Sequence, residues 1–393
     1  MLLSLLAAQL LGAVSEPPVA VFVGGVGGYP VYRIPAVVLV GAANGESSHL
    51  LAFAEGRVDL RDNGSNDIVL AMSCDGGASW TAPRTICDHP GRSLNNPCVA
   101  QIREGAHTGR VLLMFQSYPT GCGEAGVMAG FDSGPGPDRI CRTLLMHSDD
   151  GGVSWSLARD VTREVKHATI ATSVATGPGI GIQLRLGPHR GRILMPFNEG
   201  PAGKWRVYTA YSDDGGDSWK AGACAVDAAK GMGNEVQVFE REDGAIVMNS
   251  RSQNGSARRK TAISMDGGET FGDLVDVSEL PDPSCMGGVL ALDDSQGSEG
   301  NGAAPTTVVF TGCDSETRRA SGAMWISRDG GRTWPEKTPI EKDGFAYSAP
   351  VALSTSEVGV LYEAAGYKRI VFARIALPKN ANEAPPPAHA PSL

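Results

Sequence analysis

Ser73-Cys74-Asp75-Gly76-Gly77-Ala78-Ser79-Trp80 is the first of five stretches with the pattern Ser-x-Asp-Gly-Gly-x-Ser/Thr-aromatic. We call each stretch an Asp box; the other four are Ser148–Trp155, Ser212–Trp219, Ser264–Phe271 and Ser327–Trp334. Aspartate followed by two glycines suits a tight hairpin turn, because the carboxylate accepts backbone N–H bonds and glycine adopts positive φ. We predict that each Asp box clasps a hairpin, with its aromatic ring folded beneath the turn.

The spacing of the Asp boxes predicts the architecture. Their aspartates stand at positions 75, 150, 214, 266 and 329, at intervals of 75, 64, 52 and 63 residues. Each interval holds about four short strands with their turns, which is the size of one propeller blade. We therefore predict an all-β fold, a six-bladed β-propeller over residues 16–380, with its last blade closed by strands from both chain ends.

The composition agrees with many short strands. The chain has 393 residues, of which 42% are apolar, and its 51 Gly and 25 Pro supply frequent turns. Apolar, β-branched segments bounded by turn residues are the predicted strands: 32–40, 50–54, 68–72, 110–115, 192–196, 245–249 and 306–311.

The chain ends and the charge predict where the protein acts. Residues 1–15 are almost wholly apolar and are expected to be a signal peptide, and residues 381–393 are expected to be a disordered Pro/Ala-rich tail. The net charge of -9 argues against nucleic acid as a partner, and no later segment is long enough to cross a membrane. We expect a secreted, envelope-facing or lumenal monomer; an intracellular or lysosomal location is the alternative.

Metal chemistry has little support in the sequence. The eight cysteines never form a C-x-x-C pair and the seven histidines are scattered, so a zinc site is not expected. One carboxylate per Asp box is too few for a calcium loop. The even number of cysteines allows a disulfide or two whose pairing the sequence does not give.

Three arginines border predicted strands far apart in the chain: Arg33, Arg251 and Arg319. Loops from different blades converge at the channel of a propeller, so these side chains can meet there. Three guanidinium groups around one point would bind a carboxylate strongly. The alternative is three unrelated ion pairs with some of the 43 acidic residues, and composition alone favours that alternative.

Further motifs accompany the Asp boxes, in this order: Tyr32-Arg33-Ile34-Pro35, Phe53-Ala54-Glu55-Gly56-Arg57, Asn234-Glu235, Asn249-Ser250-Arg251, Tyr347-Ser348 and Leu361-Tyr362-Glu363. Together they resemble the exo-α-sialidases of the bacterial and animal type, from about Val21 to Ile375. The resemblance implies a six-bladed propeller that hydrolyses terminal sialic acids of glycoproteins, gangliosides or oligosaccharides. It implies no metal and no organic cofactor.

The resemblance also implies roles for single residues. Arg33, Arg251 and Arg319 match the arginine triad that binds the sialic acid carboxylate, and Glu363 matches the acid that orients the first arginine. Arg318 competes with Arg319 for the third position. Arg319 is preferred because its spacing to later residues, such as Tyr347, fits the family.

The remaining matches concern bond cleavage and the sugar ring. Tyr347 matches the nucleophile, Glu235 its general base and Asp62 the acid/base, with Asp59 and Asp67 as rivals for the last role. A neutral phenol suits this reaction because a second anion would be repelled by the substrate carboxylate. Arg57 matches a residue that faces the O4 side of the sugar. Asn96, in Asn95-Asn96-Pro97, stands near the position where related enzymes have Asp before Pro.

Two other functions compete with hydrolysis. Family members that transfer sialic acid efficiently have an aromatic residue just before the third arginine, whereas Thr317 and Arg318 stand there in this chain. A non-catalytic sugar-binding propeller would have Asp boxes as well, but it would not need Tyr347, Glu235 and Asp62. Hydrolysis is therefore the predicted activity.

Overall fold

The structure is a computed structural model that describes residue 14 and residues 16–41, 48–226, 232–253, 255–292 and 306–379. Its strands form six sheets, which are the six blades of an all-β propeller, so the predicted fold is confirmed. The predicted signal peptide (1–15) and tail (381–393) lie outside the described residues, except for Val14, which forms an isolated bridge with Ile375. No described helix is long and apolar enough to span a membrane.

Strand β1 (Val19–Val23) belongs to the sixth blade. Blade 1 consists of β2 (Val31–Val40), β3 (His49–Arg57), β4 (Asn66–Ser73) and β5 (Arg84–Cys87). Blade 2 consists of β6 (Arg92–Gln101), β7 (Val111–Pro119), β8 (Arg142–Ser148) and β9 (Arg159–Asp160). A short helix, α1 (Thr162–Val165), leads from blade 2 to blade 3.

Blade 3 departs from the predicted four-strand pattern because its innermost strand is divided. It consists of β10 (Val174–Thr176), β12 (Ile182–Gln183), β13 (Ile193–Glu199), β14 (Arg206–Ser212) and β15 (Lys220–Ala221), and the intervening β11 (Gly179–Ile180) pairs in parallel with β6 of blade 2. Gly177 permits this crossing, since a Cβ there would lie 1.8 Å from the carbonyl oxygen of Val236.

The last three blades complete the ring. Blade 4 consists of β16 (Met232–Glu240), β17 (Ile246–Gln253), β18 (Arg258–Ser264) and β19 (Val275–Pro281). Blade 5 consists of β20 (Gly288–Ala291), β21 (Val308–Cys313), β22 (Gly322–Ser327) and β23 (Glu336–Glu341). Blade 6 consists of β24 (Ser348–Ser354), β25 (Glu357–Ala364), β26 (Arg369–Ala376) and β1, so both chain ends close it, as the sequence predicts.

The core lies between the blades. The described buried apolar residues form six clusters, and each cluster lies mainly between two neighbouring blades. Phe53 of blade 1, for example, shares a cluster with Leu113 and Phe115 of blade 2. Because no blade buries its faces alone, the propeller is stable only as a closed ring.

The Asp boxes lie between the third and fourth strands of blades 1 to 5 and have the predicted geometry. In the third box, Asp214 Oδ1 accepts hydrogen bonds from Ser212 Oγ (2.7 Å) and Ser218 N (2.9 Å), and Oδ2 accepts one from Ser218 Oγ (2.5 Å). Trp219 folds beneath the turn and donates from Nε1 to Gly216 O at 3.0 Å.

The Asp boxes also connect neighbouring blades. A Cβ on the second glycine of each box would lie 2.2–3.0 Å from an apolar side chain of the preceding blade, and the pairs are Gly77–Phe372, Gly152–Leu51, Gly216–Leu112, Gly268–Leu194 and Gly331–Phe239. These glycines have positive φ as well. Each box is thus a hairpin clasp and a contact between blades, which is a structural role.

All eight cysteines lie in the described part of the chain, and each is a free thiol. The structure therefore contains neither of the disulfides that their even number allows.

The first prediction tests the structural role of the boxes. Asp214→Ala should lower the free energy of unfolding by about 1–3 kcal/mol, because turn amides and hydroxyls lose their acceptor. Partial burial would raise the pKa of Asp214, but the hydrogen bonds from Ser218 and Ser212 outweigh it and lower the pKa. The decrease in the free energy of unfolding should therefore be fully present above the ordinary aspartate pKa of about 3.9. It should become smaller as the pH falls through the lowered pKa that Asp214 has in the folded protein.

Denaturant unfolding at several pH values measures this loss, and Asp273→Ala, at an exposed aspartate outside the boxes, is the matched control. A variant as stable as the wild type but without activity would show that the Asp box belongs to the functional site.

Candidate active site

One large polar cavity opens where the inner strands and their loops converge. Its volume is about 610 Å³. It is lined by eight of the nine residues that the sequence singles out: Arg33, Arg57, Asp62, Asn96, Glu235, Arg251, Arg319 and Tyr347. The ninth, Glu363, is fully buried and bonds to Arg33. The structure thus brings together residues from five blades.

Irregularities in three inner strands shape this cavity. The pairing register shifts between Arg33 and Ala36 in β2, between Asn95 and Cys98 in β6, and in the corresponding part of β16. Ile34 and Asn96 have φ of 60° and 53°, values that non-glycine residues seldom adopt. Bulges of this kind redirect side chains, and strained backbone is concentrated at functional sites.

The centre of the cavity is a contact between a phenol and a carboxylate. Tyr347 Oη donates a hydrogen bond to the carboxylate of Glu235 and lies 2.6 Å from Oε1 and 2.8 Å from Oε2. Arg251 Nη1 donates to Glu235 Oε2 at 2.6 Å and lies 3.0 Å from Tyr347 Oη. Glu235 is therefore in position to accept the phenolic proton, and Arg251 is in position to stabilise the phenolate.

The surroundings keep the phenol neutral at rest. Burial raises the pKa of Tyr347 well above its ordinary value, and the negative charge of Glu235 raises it further. The positive charges of Arg251 and Arg319 lower this pKa only in part. Tyr347 thus becomes an anion only when a neighbouring base takes its proton.

The arginine triad (Arg33, Arg251 and Arg319) surrounds Tyr347. The guanidinium carbons of Arg33 and Arg319 lie 5.4 and 5.3 Å from the centre of its ring, and both distances are within cation–π range. Three cations around one ring form a strongly positive pocket in a protein of net charge -9. Such a pocket fits a ligand carboxylate.

A buried carboxylate holds the first arginine. Glu363 accepts from Arg33 Nε at 2.5 Å, from Ile34 N at 2.9 Å and from Tyr347 N at 3.2 Å. Burial would lower the pKa of the Arg33 guanidinium, but the charge of Glu363 outweighs it and raises the pKa. Arg33 therefore stays charged and fixed.

The third arginine has partners that the sequence does not reveal. Arg319 Nη2 donates to Ser284 O at 2.9 Å and Nη1 to Tyr367 Oη at 3.2 Å, whereas the neighbouring Arg318 is exposed and does not line the cavity. Ser284 and Tyr367 have φ of 59° and 68°. Neither residue belongs to a recognisable motif, so the sequence alone does not indicate that they hold Arg319.

A second arginine network forms the opposite wall. Arg57 donates from Nε to Glu55 Oε2 at 2.6 Å and from Nη1 to Asp62 Oδ1 at 2.8 Å. Glu55 is fully buried, and it also accepts from Asn96 N at 2.6 Å. Glu55 is thus the buried carboxyl partner of Arg57 in a chain that has Asn rather than Asp at Asn95 and Asn96.

Asp62 differs from the other polar groups of the site because its side chain is 85% exposed. It sits on the loop after β3, whose backbone is anchored by hydrogen bonds from Ser93 Oγ and Asn95 Nδ2 to Asp62 O, at 3.1 and 3.0 Å. Because the backbone is anchored while the carboxylate is exposed and bonded only at Oδ1 to Arg57, the side chain is able to reach a ligand. Asp59 bonds instead to Arg61 on the same loop, and Asp67 to Tyr29.

The cavity also contains polar groups that the sequence did not indicate. Glu124 lies on the loop between β7 and β8, and burial raises the pKa of its carboxyl. Gln116 Oε1 and Asn198 Nδ2 are buried polar atoms without a hydrogen-bond partner among the described residues. These atoms are available to a polar ligand.

Comparisons with known proteins agree with this geometry. A family model described as BNR repeat-like domain matches residues 48–360. The sialidase of Micromonospora viridifaciens is 32% identical over 349 residues, which are 87% of this chain and 51% of that protein. The chain spans roughly half the length of the curated relatives that it matches.

Two solved structures share the fold. A Hadza microbial sialidase, Hz136, superposes with a TM-score of 0.75 at 24% identity, over 89% of this chain and 66% of that one. An intramolecular trans-sialidase from Ruminococcus gnavus superposes with a TM-score of 0.73 at 18% identity, over 91% of this chain and 97% of that one.

The second prediction tests the buried pair beneath the cavity. Glu363→Ala should lower the free energy of unfolding by about 3–5 kcal/mol, because it leaves the Arg33 charge buried without a partner. Glu357→Ala is the matched control on the same strand: its ion pair with Arg374 is partly exposed and should contribute only about 0–1 kcal/mol. Denaturant unfolding measures both. Equal losses in the two variants would contradict this account of Arg33.

Proposed function

The chain belongs to the sialidase family with BNR repeats, and from this premise we propose that it is an exo-α-sialidase. It would hydrolyse terminal, α-ketosidically linked sialic acids of oligosaccharides, glycoproteins or glycolipids. The observation that carries the proposal is the hydrogen bond of Tyr347 to both oxygens of Glu235 inside the arginine triad. A binding module needs the arginines but not this pair.

The arginine triad recognises the substrate in this proposal. Arg33, Arg251 and Arg319 bind the sialic acid carboxylate, and Glu363 fixes the direction of the first guanidinium. Burial would lower the pKa values of Arg33 and Arg251, but the carboxylates of Glu363 and Glu235 help to raise them, so both groups stay charged. Arg319 is charged as well, because a guanidinium group stays protonated in proteins. Polar groups such as Gln116 and Asn198 then face the substituents of the sugar ring.

Bond cleavage begins at the phenol. Glu235 takes the proton from Tyr347 Oη as the phenolic oxygen bonds to the anomeric carbon. At the same time Asp62, whose exposed carboxyl can move over the site, protonates the leaving oxygen. The substrate carboxylate, held by the triad, partly balances the positive charge that grows on the sugar ring.

The second step releases the sugar. Asp62 now acts as a base and removes a proton from water, which attacks the anomeric carbon, and the bond to Tyr347 breaks as the phenol regains its proton from Glu235. Two displacements at one carbon retain its configuration. All of these groups are side chains of the cavity, so the mechanism requires no metal or organic cofactor.

Transfer of the sialic acid, to another sugar or within the same molecule, is the second candidate, and the R. gnavus neighbour is an intramolecular trans-sialidase. Hydrolysis is preferred because Thr317 and Arg318, the residues before the third arginine, are exposed and neither is aromatic. Mass analysis of the released sugar distinguishes the reactions. Hydrolysis gives free sialic acid, and intramolecular transfer gives a product that is lighter than free sialic acid by one water.

The third prediction tests the proposed activity. The protein should release the fluorophore from a fluorogenic α-sialoside, and Tyr347→Phe should reduce turnover by several orders of magnitude, about 10³-fold or more, while it keeps the fold. Tyr211→Phe, at a tyrosine outside the cavity, is the control. A wild-type protein that binds sialosides without cleaving them would favour the non-catalytic propeller.

The fourth prediction distinguishes the adjacent arginines. Arg319→Ala should reduce kcat/KM about tenfold to a hundredfold, since one charged contact of about 1.5–3 kcal/mol is lost from the triad. Arg318→Ala should stay near the wild type because this side chain is exposed. Steady-state kinetics measure both variants, and the reverse result would assign the third position to Arg318.

A further inference from the structure

Three side chains that commonly bind metals meet outside the cavity. His167 follows α1, Glu199 ends β13, and Cys224 follows β15. Their ligand atoms all lie within 4.8 Å of one another, and no other group of three such residues is this close in the part of the chain that the structure describes. We call these residues the His-Glu-Cys cluster.

The distances within the cluster suit a tetrahedral ion. His167 Nδ1 lies 3.0 Å from Glu199 Oε2 and 4.0 Å from Cys224 Sγ, and that sulfur lies 3.6 Å from Glu199 Oε1. A tetrahedral zinc ion with bonds of about 2.0–2.3 Å holds its ligand atoms about 3.3–3.6 Å apart. The ligand atoms of the three residues lie within 4.8 Å of one another, so small rotations of the Glu199 and Cys224 side chains would bring one oxygen, the sulfur and the imidazole nitrogen to one ion.

The donor set selects the metal. Thiolate sulfur and imidazole nitrogen favour zinc, whereas calcium and magnesium require oxygen ligands. We propose that His167, Glu199 and Cys224 bind one zinc ion, with water as the fourth ligand. The side chain of His167 is 28% exposed, which leaves a path for the ion and room for the water.

Neighbouring groups already orient two of the ligands. Arg206 Nη2 donates to Glu199 Oε1 at 2.5 Å, which leaves Oε2 directed at His167. The ring of Tyr208 packs edge-on against the His167 ring at 4.8 Å. Partners of this kind fix the direction of metal ligands.

The sequence does not indicate zinc, because its cysteines and histidines form no pair at short spacing. Glu199 stands 32 residues after His167 and 25 before Cys224, so the fold alone brings the ligands together. The ion would connect three segments at the edge of the cavity, since Asn198, the residue before Glu199, lines the cavity together with its strand partner Ala175. None of the three proposed ligands lines the cavity, so the ion would lie outside the candidate active site.

The test uses the full chain after treatment with a chelator. Equilibrium dialysis should show one zinc per chain, and cobalt in its place should give a thiolate-to-metal charge-transfer band and the visible bands of a tetrahedral ion. Zinc should also raise the unfolding temperature, because it binds only the folded state.

Matched variants assign the ligands. Cys224→Ser and His167→Gln should weaken zinc binding by about a hundredfold or more, and Cys74→Ser, at an exposed cysteine outside the cluster, should leave it unchanged. Unfolding curves in chelator show whether the variants are folded. Absence of zinc uptake by the wild type, cobalt binding without the thiolate band, or unchanged affinity in both cluster variants would overturn the proposal.

Discussion

The ion pair between Arg33 and Glu363 joins the first and last blades of the propeller. The two residues are 330 positions apart in the chain, yet the carboxylate of Glu363 is fully buried and also accepts from the backbone N–H groups of Ile34 and Tyr347. One side chain therefore positions the first arginine of the triad and the residue that carries the phenol. The site exists only when the ring is closed.

The second constraint is the balance of charge around Tyr347. A buried phenol next to Glu235 resists ionisation, and the arginines of the triad offset that resistance only in part. In the proposed reaction the carboxylate of the substrate enters the same positive pocket and neutralises part of the triad. The proposed nucleophile, its proposed base and the arginine triad are thus parts of one electrostatic unit, and we expect their mutational effects to be non-additive.

The fold was largely predictable because the Asp boxes repeat. Each turn is determined by residues that are close together in the sequence, and the interval between two boxes has room for about four strands. The six blades that the structure shows could therefore be predicted from the sequence. The divided inner strand of blade 3 did not follow, because β11 crosses to another blade through a close backbone contact at Gly177. A contact between two backbones has little effect on the order of apolar and polar residues along the chain, so that order does not predict it.

The site residues that belong to a sequence motif could be predicted, and the residues that support them could not. The resemblance gave Tyr347 and Glu235, which the structure places in contact, although their roles stay predictions until they are tested. It gave no indication of Ser284 or Tyr367, which hold Arg319 from turns with unusual backbone angles. Such supporting contacts depend on the tertiary fold, and a single sequence does not reveal them.

Covalent trapping tests the central claim, that Tyr347 is the nucleophile of a retaining sialidase. A 3-fluorosialyl fluoride should form a stable adduct, because the ring fluorine destabilises both transition states while the fluoride leaving group lets the first step proceed. Peptide mass mapping should place the sugar on Tyr347, and Tyr347→Phe should remain unlabelled. An adduct on Glu235 or Asp62, or turnover of the reagent without any adduct, would contradict the account.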